Sequence, residues 1–312
     1  MKKKNYILIT AALLSAVSVF ISGCSVLTEV EASTNPANTE MSTESISLAA
    51  RENESDDGVS RLEKIKEQGY IEVATEPYFA PFEFIDPLKN GDEKYVGADI
   101  ELARYIADEL GVECRIVPLD FTAVLSSVTE GKYDLAISAL AYSPARAEAM
   151  EMSDGYYYSD EVVQYGLLVR DDEIDSVKTT SDLKDKVVVV QSGSIQEGFA
   201  ADQLPEGCKE LKRVSATTDG FLMVQEGKAD ACITATSTAD LYLAANTGCG
   251  MSIAPGISFT VDEETQGTRI GMKKGETELL SEVNRIIAEV TESGLYAQWY
   301  DEYSDYAASL GI

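Results

Sequence analysis

Two stretches decide how this chain folds: Glu130-Gly131-Lys132-Tyr133-Asp134-Leu135-Ala136-Ile137-Ser138-Ala139 and Glu226-Gly227-Lys228-Ala229-Asp230-Ala231-Cys232-Ile233-Thr234-Ala235. Each reads as a helix end, a capping glycine, and a buried strand that closes on small and hydroxyl residues. With the glycines at 131 and 227 the echo lies 96 residues away, far too long for a solenoid unit. It predicts two lobes built on related α/β plans. Ligands of open α/β sheets sit beyond the carboxyl ends of the strands. Ser138-Ala139 and Thr234-Ala235 are therefore expected to approach one cleft from opposite sides.

Outward from these stretches, residues 71–74, 115–117 and 187–190 are short apolar runs that read as strands. Ile100, Ala103, Ile106, Ala107 and Leu110 share one helical face, closed by Gly111. Val124, Leu125 and Val128 mark a helix ending near Gly131, and further helices are expected over 221–225 and 276–291. Strand and helix in succession predict α/β architecture with mostly parallel sheets.

Composition removes whole classes of function. The chain has 312 residues, with 25 Lys+Arg against 54 Asp+Glu and a net charge of −29. Non-specific nucleic-acid binding needs clustered cations and is excluded. An acidic ligand can bind only at a locally positive spot. There is no histidine, so Ser-His-Asp and Cys-His nucleophiles, His-ligated zinc and His switches are absent. No Cys-x-x-Cys pair occurs either, and neither a metal nor a cofactor is expected. The length suffices for two domains.

The first residues read as an address. Lys2, Lys3 and Lys4 precede an apolar run over 6–21 that stops at Ser22-Gly23-Cys24. This suits a signal peptide better than a spanning helix, which needs roughly 20 apolar residues. No second run of that length follows. Residues 25–60 carry Arg51 against Glu29, Glu31, Glu40, Glu44, Glu52, Glu54, Asp56 and Asp57, with no aromatic residue. Such a stretch cannot bury enough apolar surface to offset its ordering entropy and reads as a disordered tether. Cys114, Cys208, Cys232 and Cys249 permit three disulfide pairings, although Cys114 and Cys232 sit in apolar strand contexts typical of free thiols.

Three features carry candidate chemistry. In Ser143-Pro144-Ala145-Arg146, Ser143 can cap a helix, Pro144 suits its first position, and Arg146 falls in its first turn. A cation there opposes the helix dipole unless an anion binds alongside, and a guanidinium matches a carboxylate. The alternative is an exposed arginine paired with Glu148 or Glu151. Second, the Pro-rich stretch 76–84 offers Phe79 or Phe82 as an apolar wall opposite Phe121, unless these rings are simply core. Third, Gln191-Ser192-Gly193-Ser194 ends a strand and opens a helix, forming a small backbone nest for an anion or merely an ordinary βα turn.

These residues carry a family resemblance. Pro81-Phe82-Glu83-Phe84, Val96-Gly97-Ala98-Asp99-Ile100, Ser143-Pro144-Ala145-Arg146, Ser153-Asp154-Gly155-Tyr156-Tyr157 and Asn284…Gly294-Leu295-Tyr296 resemble, in order and spacing, the amino-acid-binding extracellular solute-binding proteins of ABC importers (family 3 type). The resemblance covers nearly all of 61–303. It implies the two-lobed, type II periplasmic-binding-protein-like fold: lobe 1 over 61–158 plus 269–312, lobe 2 over 159–268, and crossings near Tyr157 and Gly267. Ile21-Ser22-Gly23-Cys24 resembles a bacterial lipobox, apart from Ile21 where Leu is usual. That implies a signal peptide over 1–23, a lipid on Cys24, and a tether over 24–60 at the outer membrane face.

By the same resemblance, Arg146 would hold the ligand α-carboxylate and Ala139 would offer backbone groups. Phe79 and Phe121 would flank the ligand, Glu76 would lie near its polar end, and Ser192, Gly193 and Ser194 would contribute from lobe 2. Two departures stand out. Ala141 occupies a position where Ser or Thr is common, and Ala235 aligns with the acid that usually receives the ligand's α-ammonium. A buried ammonium without a counter-charge costs several kcal/mol, so either Glu76 or another acid replaces it, or the ligand lacks that head group. Arg269 stands where Gly is more usual, near the second crossing, and hints at further anion recognition. The implied role is a monomeric binding protein that closes on a small carboxylate and hands it to a membrane permease. Some relatives of the fold are enzymes; here, without histidine, Glu76 is the one acid placed for such chemistry. A sensory receptor is disfavoured, since no spanning helix or signalling domain follows the lobes.

Overall fold

The computed structural model describes residues 58–158, 165–260 and 266–312. The signal segment, Cys24 and the tether up to residue 57 lie outside these residues. Folding begins at Ser60, whose hydroxyl and Glu63 form a capping box on α1 (Arg61–Gln68).

Lobe 1 is a five-stranded sheet in the order β5 (Glu113–Pro118), β1 (Tyr70–Thr75), β6 (Leu135–Ala141), β13 (Thr268–Lys273), β7 (Met150–Met152). Lobe 2 repeats the plan: β10 (Glu210–Val214), β9 (Val187–Gln191), β11 (Ala231–Ala235), β8 (Tyr165–Arg170), β12 (Met251–Ile253). In each, the first three strands pair in parallel, and the fourth runs against its neighbours. The sheets are thus mostly parallel, with one reversed strand apiece. The reversal has a cause. β8 and β13 are the strands that follow the two interlobe crossings, so each starts from the cleft, where its parallel neighbours end. The crossing segments also pair with each other, at Tyr157 with Thr268 on the lobe 1 side and Tyr165 with Phe259 on the lobe 2 side.

The sequence echo is visible at atomic level. Gly131 and Gly227 adopt φ of 74° and 70°. Three residues later, the Asp134 carboxylate accepts from the Glu72 N–H and that of Asp230 from the Val187 N–H, both at 2.7 Å. Each aspartate thus stitches the start of its strand to the start of the neighbouring parallel strand.

Amphipathic helices cover the sheets. α2 (Ala98–Leu110) and α8 (Thr277–Glu292) bury Leu102, Ile106, Leu279, Val283, Ile286 and Val290 in one lobe 1 core with Ile71, Val73, Leu135 and Ile137. α3 (Phe121–Thr129) covers the other face. In lobe 2, α5 (Ile195–Asp202) and α6 (Thr217–Gln225) take opposite faces. The Pro-rich stretch is not helical: β2 (Tyr78–Phe79) and β3 (Glu83–Ile85) flank a turn and form a small antiparallel sheet with β4 (Tyr95–Val96). Cys114, Cys208, Cys232 and Cys249 are free thiols. Among the described residues no helix is long and apolar enough to cross a membrane.

Candidate functional site

A cavity of about 480 Å³ lies between the lobes, at the carboxyl ends of β1, β6, β9 and β11. Glu76, Phe79, Phe121, Ala139, Ala141, Arg146, Ser194 and Ala235 line it. Ser192 and Gly193 do not.

Arg146 sits in the short helix α4 (Pro144–Ala149), where the Ser143 hydroxyl accepts its backbone N–H at 3.2 Å. Its side chain is neither exposed nor paired as the alternative reading required. The residue is 8 % exposed, and Glu151 pairs with Lys274 instead. One Nη donates to the Ala141 carbonyl at 2.7 Å and the other to the Gly193 carbonyl of lobe 2 at 3.0 Å. The guanidinium also lies 5.5 Å from the Phe121 ring centre. Burial lowers its pKa to about 10, but it remains cationic at neutral pH, with donors to spare. Arg146 is the only cation among the described residues that line the cavity.

The turn expected to act as an anion nest is already filled. The Gly193 N–H donates to the Glu197 carboxylate at 2.8 Å, while the Ser192 and Ser194 N–H groups bond the Val214 and Gln191 carbonyls. The anion in this nest is the carboxylate of its own helix, a partner three residues beyond the motif that the motif alone does not reveal. The nest therefore offers Arg146 a carbonyl rather than offering a ligand its N–H groups. A Cβ at Gly193 would lie 3.3 Å from Thr122 and 3.4 Å from Leu125 of lobe 1, so the two lobes come close at this turn.

The acidic end of the cavity is unusual. Glu76 follows β1 and is 2 % exposed, with Oε1 meeting no hydrogen-bond partner. Desolvation, reinforced by the charges of Asp120 and Asp219, raises its pKa to about 8; a hydrogen bond from Gln191 only partly offsets this. Beside it, the Ser138 hydroxyl accepts the Glu76 N–H at 3.0 Å and donates to Glu83 at 2.9 Å. Glu83 in turn meets Asp99, which accepts from Tyr156, Tyr296 and the Ala139 N–H. Burial pushes the pKa values of Glu83 and Asp99 up as well. Ala139 adopts φ 47°, and its N–H is committed to Asp99.

Opposite, the end of β11 supplies Ala235, Thr236 and Ser237, with the exposed Asp240 further along α7 (Thr236–Ala245). Thr234 is buried beside the strand end, outside the lining. Phe79 stacks on Phe82 at 5.6 Å, and Phe82 packs edge-on against Tyr157 and Tyr300, so the aromatic wall belongs to both cavity and core. Arg269 lies outside the cavity, over Tyr142 and bonded to the Ser153 carbonyl.

Sequence reading brought Ser138 to the cleft and Gln191 to the candidate nest, but gave Glu83 and Asp99 no role in the site. Asp99 was detectable in principle: it is an acid flanked by Ala98, Ile100, Leu102 and Ala103 on a helix that buries all four.

Residues 71–306 match the family model described as bacterial extracellular solute-binding proteins, family 3. The chain is 28% identical over 232 residues to the arginine-binding extracellular protein ArtP of Bacillus subtilis, covering 73% of this chain and 85% of that protein. A Streptococcus pneumoniae amino acid ABC transporter substrate-binding protein, AbpA, solved with L-arginine bound, is 32% identical with a TM-score of 0.69 over 79% of this chain and 98% of its own. An ancestral amino acid-binding protein described as a precursor of cyclohexadienyl dehydratase is 28% identical, with a TM-score of 0.65 over 78% and 99%.

Proposed function

Because the chain belongs to the bacterial extracellular solute-binding proteins, family 3, we propose that it captures an amino acid or a closely related small carboxylate between its lobes. It then presents the closed form to an ABC transporter permease. The observation that carries this reading is Arg146: a buried guanidinium facing a cavity, bonded to backbone carbonyls and, among the described residues, in no ion pair with a carboxylate. Burying a cation without a counter-charge is expensive, and an incoming carboxylate removes that cost. Phe121 beneath the guanidinium and Phe79 on the other wall would flank the ligand, with Glu76 taking a positive group. Contacts made to both lobes at once favour the closed arrangement, which is how binding energy becomes a change of shape. A lipid on Cys24 would hold the protein at the extracytoplasmic membrane face, and the acidic tether would let it reorient toward the permease.

A thermal-shift screen of the protein against amino acids, their keto analogues and small peptides tests this. A ligand at 100 times its Kd stabilises the fold by about 2.7 kcal/mol. The absence of any shift across the amino and keto acids would overturn the reading.

An enzymatic reading has one observation in its favour: a carboxyl held protonated in a cavity is also what a general acid requires, and one structural neighbour is described as a dehydratase precursor. Incubation with amino and keto acids, followed by mass spectrometry, separates the two. Turnover abolished by Glu76→Gln would replace binding with catalysis.

A further inference from the structure

Resting on the binding function proposed above, we infer that the buried carboxyl cluster Glu76–Glu83–Asp99 makes ligand capture proton-linked. A carboxylate ligand that brings a cationic group to Glu76 displaces one proton to solvent, and a carboxylate without such a group does not.

The geometry starts with charge. Glu76, Glu83 and Asp99 are each at most 2 % exposed, and none forms an ion pair with Lys or Arg among the described residues. Glu83 and Asp99 meet carboxyl to carboxyl, so one of them must hold the proton between them. Asp99 accepts from two tyrosine hydroxyls and the Ala139 N–H, which suits the anion, and Glu83 therefore keeps its proton. A second negative charge on Glu76, linked to Glu83 through the Ser138 hydroxyl, would be buried beside the first without compensation.

Every titratable group that bears on Glu76 acts in the same direction. Asp120 at the start of α3 and Asp219 of α6 are acids that oppose its ionisation, the protonated Glu83 adds no favourable charge, and only the neutral amide of Gln191 favours it. The remaining ionisable groups lining the cavity are Arg146, which is engaged by the carbonyls of Ala141 and Gly193, the tyrosines 157, 158, 165 and 300, and the exposed Asp240. Glu76 Oε1 is an unpartnered acceptor at the cavity wall; the other unpartnered carboxyl oxygen there, Glu83 Oε2, belongs to the group that keeps its proton. With its pKa raised to about 8, Glu76 is protonated at pH 7. An ammonium or guanidinium seated against it supplies the missing counter-charge, and the carboxyl O–H proton leaves for bulk water. The protein charge falls by one and the ligand's positive charge compensates.

The test is titration calorimetry of L-arginine at pH 6.0, 7.0 and 8.5 in pairs of buffers with different ionisation enthalpies. The expected result is release of about one proton per ligand at pH 6 to 7 and about a quarter of a proton at pH 8.5, with Kd rising about tenfold from pH 7 to pH 6. The same measurement with 2-oxopentanoate, which has no cationic group, should release none. Binding of L-arginine without proton release, or equal release by both ligands, overturns the inference and leaves the binding function standing. If neither these two probes nor any other amino or keto acid binds, both fail. Glu76→Gln should bind L-arginine without releasing a proton and with a Kd flat across pH 6 to 8; if that variant no longer binds, the buffer dependence of the unmodified protein decides alone.

Discussion

The guanidinium of Arg146 reaches across the cleft to the carbonyl of Gly193 at 3.0 Å while its other arm holds the carbonyl of Ala141 in its own lobe. One side chain thus both faces the cavity and ties lobe to lobe. Replacing it should affect two measurements at once. Arg146→Ala leaves a bound carboxylate buried without its cation, a loss of about 3–5 kcal/mol, or roughly two to three and a half decades in Kd. The lobe contact is lost as well, so small-angle scattering should record a larger radius of gyration. Unchanged affinity in calorimetry would show that the assigned pocket is wrong.

Stability should fall as pH rises through neutrality. Glu76 has an ordinary value near 4.5 when unfolded and about 8 when folded, so the folded state binds the proton more tightly. Its contribution is fully present below pH 4.5 and is lost as pH climbs toward 8. Glu83 and Asp99 act with the same sign. Glu76→Gln cannot ionise, so its Tm should exceed that of the unmodified protein at pH 8, with the advantage gone by pH 5. A constant Tm difference across that range would contradict the assignment.

Gly97 should tolerate no side chain. Its φ is 130°, and a Cβ there would lie 2.2 Å from the Phe82 carbonyl oxygen. That oxygen accepts the Asp99 N–H at 2.8 Å, so the clash falls where the aromatic wall meets the acid cluster. Gly97→Ala should cost about 2–5 kcal/mol from strain and overpacking, read as a lower denaturant midpoint. The proton release on L-arginine binding should also change if the variant remains folded.

The two echoed aspartates should not be equivalent. Asp134 is buried and pairs with Arg61 besides holding the Glu72 N–H. Asp230 is half-buried, and Arg170 beside it also bonds the Val224 and Ala229 carbonyls. Asp134→Ala therefore strands a backbone donor and a cation, at about 2–4 kcal/mol, whereas Asp230→Ala should cost about 1 kcal/mol. Urea midpoints of the two variants check the order.

Local rules were enough to read β1, β5, β6, β9 and β11, the helices α2, α3, α6 and α8, and the echo between the lobes. Ile71 to Ala74 alternates with helical faces such as Ile100 to Leu110, and the Gly131 and Gly227 caps repeat. Backbone sterics and burial periodicity act within a few residues, so sequence alone exposes them. The reversed strands, the carboxylate that fills the turn at Gly193, and the direct meeting of Glu83 with Asp99 came only from the tertiary structure. In sequence, Glu76, Glu83 and Asp99 are three acids in a chain with 54 acidic residues; the apolar helical face around Asp99 is a local hint of burial, but nothing local joins the three into one cluster. Chain closure decides it, by bringing groups 40 to 197 positions apart into one hydrogen-bonded network and excluding the water that would otherwise stabilise their charge.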